Sequence, residues 1–377
     1  MKWVFAIFLL LINIILIAQA SPVCLYQHED HKFNFSNSNN RNDSSLISIK
    51  VVVHILWFQK EENISDEQIQ SQIIALNRDF NGIPQINCKI PTFYIDRIGR
   101  TRFQFCLADK DPNGNPTNGI VRTFTAKTFN KNNLTDAALK SSGGSNAWKN
   151  DQYLNIWVAP FGNDILGYSG GVALNKFSDG IFINTKVFGT IGNLLSNYNL
   201  GHTLSHEVGH YFGLNHIWGG DGCNCEDDDG IDDTPKQECY SFGCDPTPQF
   251  SCGQYSMNYN LMDYSYDDCR GYFTKGQCLY MRNVLMNYRP KLQENANCNI
   301  NLNFNNSTIN CSKLTNLFEN KTNFSIKIYS ISGQLVYDST SQTDFNIIDI
   351  NNLSNGIYLV SKTINGQQTI EKLVIFK

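Results

Sequence analysis

The residues with the most chemistry are three histidines and a glutamate set at fixed intervals, His206-Glu207-x-x-His210-x-x-Gly213-x-x-His216. On a helix, a spacing of four returns His206 and His210 to nearly the same face, about 6 Å apart along the axis. Two imidazoles so placed can share one metal ion. A continuous helix would carry His216 about 15 Å from His206, so the helix must stop first. Gly213 can stop it, because glycine takes the left-handed cap conformation without steric penalty and lets the chain turn His216 back as a third ligand. Three neutral imidazoles suit zinc, whose catalytic sites keep a fourth position for water. Glu207, rotated about 100° from the neighbouring ligand, faces that water and is placed as general base. The chemistry implied is amide hydrolysis. His202, one turn upstream on the same face, competes as a ligand, but the Gly213 turn favours His216 and leaves His202 a supporting or surface role.

The extended run resembles the zinc motif of the metzincin metallopeptidases, and Asn260-Leu-Met-Asp-Tyr264 resembles the Met-turn of the pappalysin family. The resemblance implies Met262 beneath the zinc, although a lone methionine would read as ordinary core. It implies Tyr264 as a phenol that binds zinc at rest or steadies the tetrahedral intermediate. The expected fold is α/β (α+β) and metzincin-like, a twisted mixed sheet plus an active-site helix. The expected activity is that of a secreted zinc endopeptidase on protein or peptide substrates. A catalytically inactive surface protein that binds zinc or peptide is the rival reading, and Glu207 speaks against it. A closed pocket in place of a cleft would favour a third, a zinc hydrolase of another kind. Asp268, six residues past Met262, stands where the resemblance implies an acid at the base of a primed-side pocket, selecting Arg or Lys at P1′. Its plain alternative is surface solvation or a local ion pair with Arg270 or Lys275.

Six of the eight residues in 226–233 are acidic. Such crowding repels itself unless a hard cation neutralises it, and an oxygen-rich loop with a glycine bend suits calcium; otherwise it is a solvated loop. Asp229-Gly-Ile-Asp-Asp-Thr-Pro235 resembles the calcium loop of bacterial pappalysins, which implies Asp229 and Thr234 as ligands of a structural Ca2+.

The elements that must position these residues are legible as patterns. Residues 46–58 are β-branched and apolar, a central strand in which His54 reads as core. Ser65-Asp-Glu-Gln68 forms a capping box for a helix with Ile69, Ile73, Leu76 and Phe80 on one side, ended by Asn81-Gly82. Strands follow at 103–107 and 153–159, with turns or exposed loops at 111–116 and 141–145. Order and phrasing here resemble the pappalysin N-terminal half, which implies a strand edge that holds the substrate backbone; 167–174 is the candidate. Thr274-Lys-Gly-Gln277 opens a last helix carrying Leu279, Val284 and Leu285 to about Tyr288, with Pro290 past its end.

The chain of 377 residues has a net charge of -4, so it lacks the basic footprint of a nucleic-acid binder. Lys2, the apolar run 3–18 and Ala18-Gln-Ala20 read as a signal peptide over 1–20, leaving no transmembrane span after its removal. Residues 21–45 are a flexible leader or short pro-segment. Cys24 within it reads as a thiolate that occupies the zinc until the segment is removed, or as half of a disulfide. Twelve cysteines in an exported chain imply disulfides. The family resemblance suggests Cys225–Cys252 and Cys244–Cys269; Cys88–Cys106 and Cys223–Cys239 are further guesses.

A catalytic domain is placed at 46–295 and an Asn-rich linker with N-x-S/T sequons at 296–314. Residues 315–377 alternate with period two between Gly turns, a small all-β sandwich. Ser332-Gly-Gln-Leu-Val336, Leu353-Ser-Asn-Gly-Ile-Tyr-Leu359 and Lys372–Lys377 resemble the C-terminal sorting domain of type IX secretion cargo. That implies a secretion machinery as partner and an extracellular or cell-surface location.

Overall fold

A computed structural model describes residues 23–24, 45–83, 90–162, 164–172, 176–220, 223–245, 249–294, 298, 324–330, 334–338, 356–364 and 367–375. The expected signal peptide, the leader apart from residues 23, 24 and 45, the linker apart from Cys298, and Cys88 lie outside them. The elements are β1 (Val23–Cys24), β2 (Ile47–Trp57), α1 (Asp66–Phe80), α2 (Thr92–Ile95), β3 (Phe103–Leu107), β4 (Ile120–Phe124), β5 (Leu154–Ala159), β6 (Ile165–Ser169), β7 (Ile181–Asn184) and α3 (His202–Tyr211). After them come β8 (Phe250–Ser251), β9 (Gln254–Tyr255), α4 (Lys275–Tyr288), α5 (Lys291–Glu294), β10 (Phe324–Ser330), β11 (Leu335–Asp338), β12 (Gly356–Ile364) and β13 (Gln367–Ile375).

The central sheet runs β1-β6-β7-β5-β2-β3, with β4 also on β2. β2 is long enough to pair with β3 through its first half and with β4 through its second, both parallel, along one edge. β5 lies parallel on the other side of β2 and β7 parallel to β5. β6 then turns antiparallel to β7, and β1 pairs parallel with β6 as the outermost strand. β2 is buried on both faces through residues 51–56, which is why that stretch is apolar at every position but His54 rather than alternating.

Helices α1 and α3 cover one face. Ile69, Ile73, Leu76 and Phe80 of α1 join Leu204 and Val208 of α3 and the inward residues of β2, β3 and β5 in one core. A smaller cluster around Trp157, Phe161 and Phe182 fills the opposite face. His54 is core, as its strand implies: it bonds Ser145 Oγ at 2.8 Å and Asn155 Oδ1 at 3.1 Å and stacks on Trp157. Burial lowers its pKa to about 4.

The capping details differ from the sequence expectation. Ser65 accepts from Gln68 N, but the Gln68 side chain donates to Phe188 O at 2.8 Å instead of closing a box. The reciprocal box is found at Thr274 and Gln277, where α4 begins. On α4, Leu279 faces solvent while Met281, Val284 and Leu285 face the core.

Disulfides join Cys223–Cys239, Cys225–Cys252 and Cys244–Cys269, stapling the long segment between α3 and α4. Cys106 pairs with Cys298, not with Cys88. The chain beyond α5 returns to β3, and the two Cα atoms lie 5.6 Å apart, inside the range a disulfide spans. Separately, β10–β13 form a four-stranded antiparallel sheet in the order β11-β10-β12-β13. The other residues of 315–377 on which the expected sandwich rests lie outside the described residues. No helix among the described residues is long and apolar enough to cross a membrane.

Candidate active site

Helix α3 is capped by Gly201 at its start and Phe212 at its end, and Gly213 follows with φ 84°. Gly213 N donates to His210 O and Leu214 N to Gly209 O, the paired bonds of a glycine-terminated helix. The reversal brings His216 back. The Nε2 atoms of His206, His210 and His216 stand 3.0, 3.2 and 3.3 Å apart. Nitrogens bound tetrahedrally at about 2.0–2.1 Å would be separated by about 3.3 Å, so the donor set fits one zinc-sized ion.

The ring orientations are fixed from behind. His206 Nδ1 lies 2.7 Å from Leu261 O and His210 Nδ1 2.7 Å from Leu214 O. Donation from Nδ1 to a carbonyl leaves the Nε2 lone pair facing inward, as in metal-binding histidines. Burial drives the His206 pKa well below its ordinary value and that of His210 to about 3, so both rings are neutral, the form that ligates. Trp218 stacks on His216 with ring centroids 4.2 Å apart.

His202 lies elsewhere. It is fully buried, with Nδ1 3.1 Å from Asp267 O and Nε2 3.5 Å from Asp79 Oδ1, and it takes no place in the imidazole cluster. Behind α3, Asp79 also accepts from Ser205 Oγ and pairs with Arg78.

Met262 is fully buried beneath α3, where a Cβ on Gly209 would come within 2.5 Å of its Sδ. The glycine inside the histidine motif is thus the residue that lets the Met262 turn approach. Gly167 plays the same part from above, since a Cβ there would meet the Glu207 carboxylate at 2.6 Å. β6 therefore passes directly over Glu207, inside the 167–174 segment expected to hold substrate. Burial raises the Glu207 pKa to about 8, against the opposing pull of the Cys24 thiol and the Arg270 charge. Tyr264 packs against His206 and His216, and its hydroxyl donates to Cys24 O at 3.1 Å.

Cys24 is buried in the same place. Its Sγ belongs to one cluster with the three imidazoles, with all ligand atoms within 4.8 Å of one another. β1 carries it there, pairing Cys24 with Gly167.

Asp229 is nearly buried, with Oδ1 held by Ile231 N and Thr234 Oγ1. Its Oδ2 is buried without a hydrogen-bond partner, and burial, reinforced by the charges of Asp228 and Asp233, raises its pKa to about 7. The other acids are not all left to a cation. Asp233 accepts from Thr274 Oγ1 and Gly276 N at the start of α4, and Asp228 lies 3.3 Å from Lys236 Nζ.

Asp268 faces solvent. Its neighbours Asp267 and Cys269 turn inward, and the pocket beside Glu207 is lined instead by Arg270, together with Tyr198, Thr203 and Phe242. Arg270, Gly209, Trp218 and the carbonyls of Leu214 and Leu261 were not singled out as site residues from the sequence, and Gly167 was named only as the start of the candidate substrate edge. Only Gly209 carried a local signal, as a glycine inside a helix.

Residues 134–286 match the peptidase family model described as Pregnancy-associated plasma protein-A, and residues 295–376 match the Secretion system C-terminal sorting domain. An extracellular metalloprotease of Arthroderma gypseum is 31% identical over 258 residues, covering 66% of this chain and 76% of that protein. One of Sordaria macrospora is 38% identical over 180 residues, covering 44% and 61%. Among solved structures, Tannerella forsythia mature mirolysin in complex with a cleaved peptide is 41% identical with a TM-score of 0.65, covering 67% of this chain and 97% of that one. Promirolysin of the same organism is 40% identical with a TM-score of 0.63, covering 66% and 85%.

Proposed function

This chain belongs to the pappalysin family of secreted metalloendopeptidases, and from that premise we propose that it hydrolyses peptide bonds with His206, His210 and His216 as zinc ligands and Glu207 as general base. The convergence of three Nε2 atoms within 3.3 Å of one another carries the reading. A zinc ion held by these rings would supply a Lewis acid for the scissile carbonyl and acidify the attacking water. Glu207, buried beside the rings, takes the proton from that water and passes it to the leaving amine. Tyr264 donates to the oxygen on which charge develops; its hydroxyl already donates to a peptide carbonyl in this cleft, that of Cys24. Met262 supports the imidazoles from below. A cleaved peptide bound to mature mirolysin agrees with a cleft that accepts extended chains.

In this reading Cys24 holds the enzyme latent. Its sulfur lies among the imidazoles, and β1 occupies the open side of β6, where a substrate strand would pair. Removing the leader exposes both. The catalytic unit spans 46–295, and the C-terminal domain at 315–377, overlapping the matched 295–376, hands the protein to its secretion machinery. Asp229 and Thr234 are the ligands of a structural calcium, supported by the buried Oδ2 that has no partner. The preference for Arg or Lys at P1′ rests on Asp268, whose side chain is exposed and open to an entering cation.

Glu207→Ala in the processed protein tests the core of this. Proteolysis falls by at least about 10³-fold while zinc content stays at one per chain. Zinc bound without any proteolysis in the unsubstituted, processed protein would favour the rival reading, a surface protein that binds peptide without cutting it.

A further inference from the structure

Resting on the peptidase reading above, we propose that Arg289 is a positioning residue: it sets the height of β6, the edge that takes the substrate backbone, over helix α3, and so governs how tightly an extended peptide is held. Arg289 directly follows α4 and is 4% exposed, and a guanidinium keeps its charge on burial. Its two Nη groups make four hydrogen bonds. Nη1 donates to Asp179 Oδ2 at 2.9 Å and to Tyr211 OH at 2.8 Å, and Nη2 donates to Asp179 Oδ1 at 2.8 Å and to Gly171 O at 3.3 Å. The Tyr211 ring also lies against the guanidinium, with its centroid 3.7 Å from Cζ. Nε is buried with no hydrogen-bond partner, so the Nη bonds and the ring fix the group.

These partners belong to the two elements that pass over and under Glu207. Tyr211 ends α3, directly after His210. Gly171 turns the chain away from β6 with φ 62°, and Asp179 stands two residues before β7, so the guanidinium grips both ends of the β6–β7 connection. β6 and α3 therefore meet twice: where Gly167 lies against Glu207, and four residues on in each, where Arg289 joins Gly171 to Tyr211. Over those four residues a strand advances about 13 Å and a helix about 6 Å, so the two are out of step at the second point and a side chain from a third element spans the gap. The open edge of β6 does take a backbone, since β1 pairs with it at Ile165 and Gly167. A buried ion pair adds little net stability over apolar packing of the same volume. What the planar fork adds is a fixed direction for each of its bonds. Without it the far end of β6 drifts, and a shift of about 1 Å weakens every hydrogen bond the edge makes to a peptide.

Arg289→Lys keeps the charge and loses the fork. The test compares it with the unsubstituted processed protein on two peptides built around the same cut bond, one long enough to pair along β6 and one trimmed to about four residues. KM for the long peptide should rise about tenfold or more, and KM for the trimmed one by no more than about twofold, with zinc content unchanged. The Kd of the long peptide for Glu207→Ala, with and without Arg289→Lys, should move by the same factor in the absence of turnover. Tyr211→Phe removes one acceptor only and should move KM the same way by about two- to threefold, which decides the matter if Arg289→Lys does not fold. A cavity of about 200 Å3 lined by Asp179 and Arg289 opens beside the exposed residues Asp151 and Lys291. Through it millimolar guanidinium chloride, but not sodium chloride, should restore binding of the long peptide to Arg289→Ala. An arginine that only held the fold together would reduce the active fraction, lowering kcat for both peptides alike and leaving KM unmoved. That result, or equal shifts for the long and trimmed peptides, would overturn the proposal. If the unsubstituted processed protein cuts no peptide, the peptidase reading falls, and the Kd comparison still judges Arg289.

Discussion

The imidazole cluster and the acidic loop lie close in sequence and both look built for a cation, but they reach burial by different routes. His206 and His210 are neutral when buried, and backbone carbonyls satisfy their second nitrogens. Asp229 is neutral only when it takes up a proton, its pKa being raised to about 7, and one of its oxygens is left without a partner. The difference teaches that a histidine site can be folded before its metal arrives, whereas a buried carboxylate needs a cation, a proton or a helix terminus. Asp233, taken up by the N-terminus of α4, shows the third solution a few residues away.

The sharpest way to break the contrast is to strip each ion. A zinc chelator should abolish turnover and leave the near-UV circular dichroism of the protein at 25 °C unchanged; a stripped protein that unfolds would contradict the claim that the imidazole site stands alone. A second buried carboxylate extends the contrast. Asp79 is pushed up to about 6 by burial, against the pull of Arg78 and Ser205, with Asp267 adding to the rise and His202 beside it. A folded-state pKa above the unfolded one means that the native state holds the extra proton. The resulting stability is fully present below about pH 3.8 and is lost as pH rises through about 6. Relative to Asp79→Asn, the unsubstituted protein should therefore gain on the order of 2–3 kcal/mol in stability between pH 7 and 4, read from urea denaturation. Parallel profiles for the two proteins would show that Asp79 is fully compensated.

Smaller effects refine the picture. Tyr264→Phe removes a neutral donor from the cleft and should lower kcat about 10- to 100-fold with zinc retained; an unchanged kcat would remove Tyr264 from the mechanism. A calcium chelator should leave zinc in place and lower Tm by about 5 °C, with Asp229→Asn insensitive to it. No shift in Tm would mean that the Asp229 loop carries no ion.

The motif, the long strand β2 and the helix α1 were legible because each depends on short-range periodicity. The Gly213 turn was legible for a similar reason, since only a reversal there lets His216 meet residues 206 and 210. What escaped depends on facing and on return. In 267–270 the chain turns tightly, so counting from Met262 does not tell which of Asp267, Asp268 and Arg270 points into the pocket. Asp268 was chosen and is exposed, while Arg270 lines the small pocket beside Glu207. The partner of Cys106 lies beyond α5, after the chain has crossed the domain, and no local pattern announces such a return. The close approaches of Gly167 and Gly209 are products of packing between distant elements.

Anomalous diffraction at the zinc edge from crystals of the processed protein tests the central claim most directly. One zinc peak should lie about 2.0–2.1 Å from Nε2 of each of His206, His210 and His216, with no protein side chain in the remaining position. A peak centred elsewhere, or a ring of His216 turned away from it, would contradict the account.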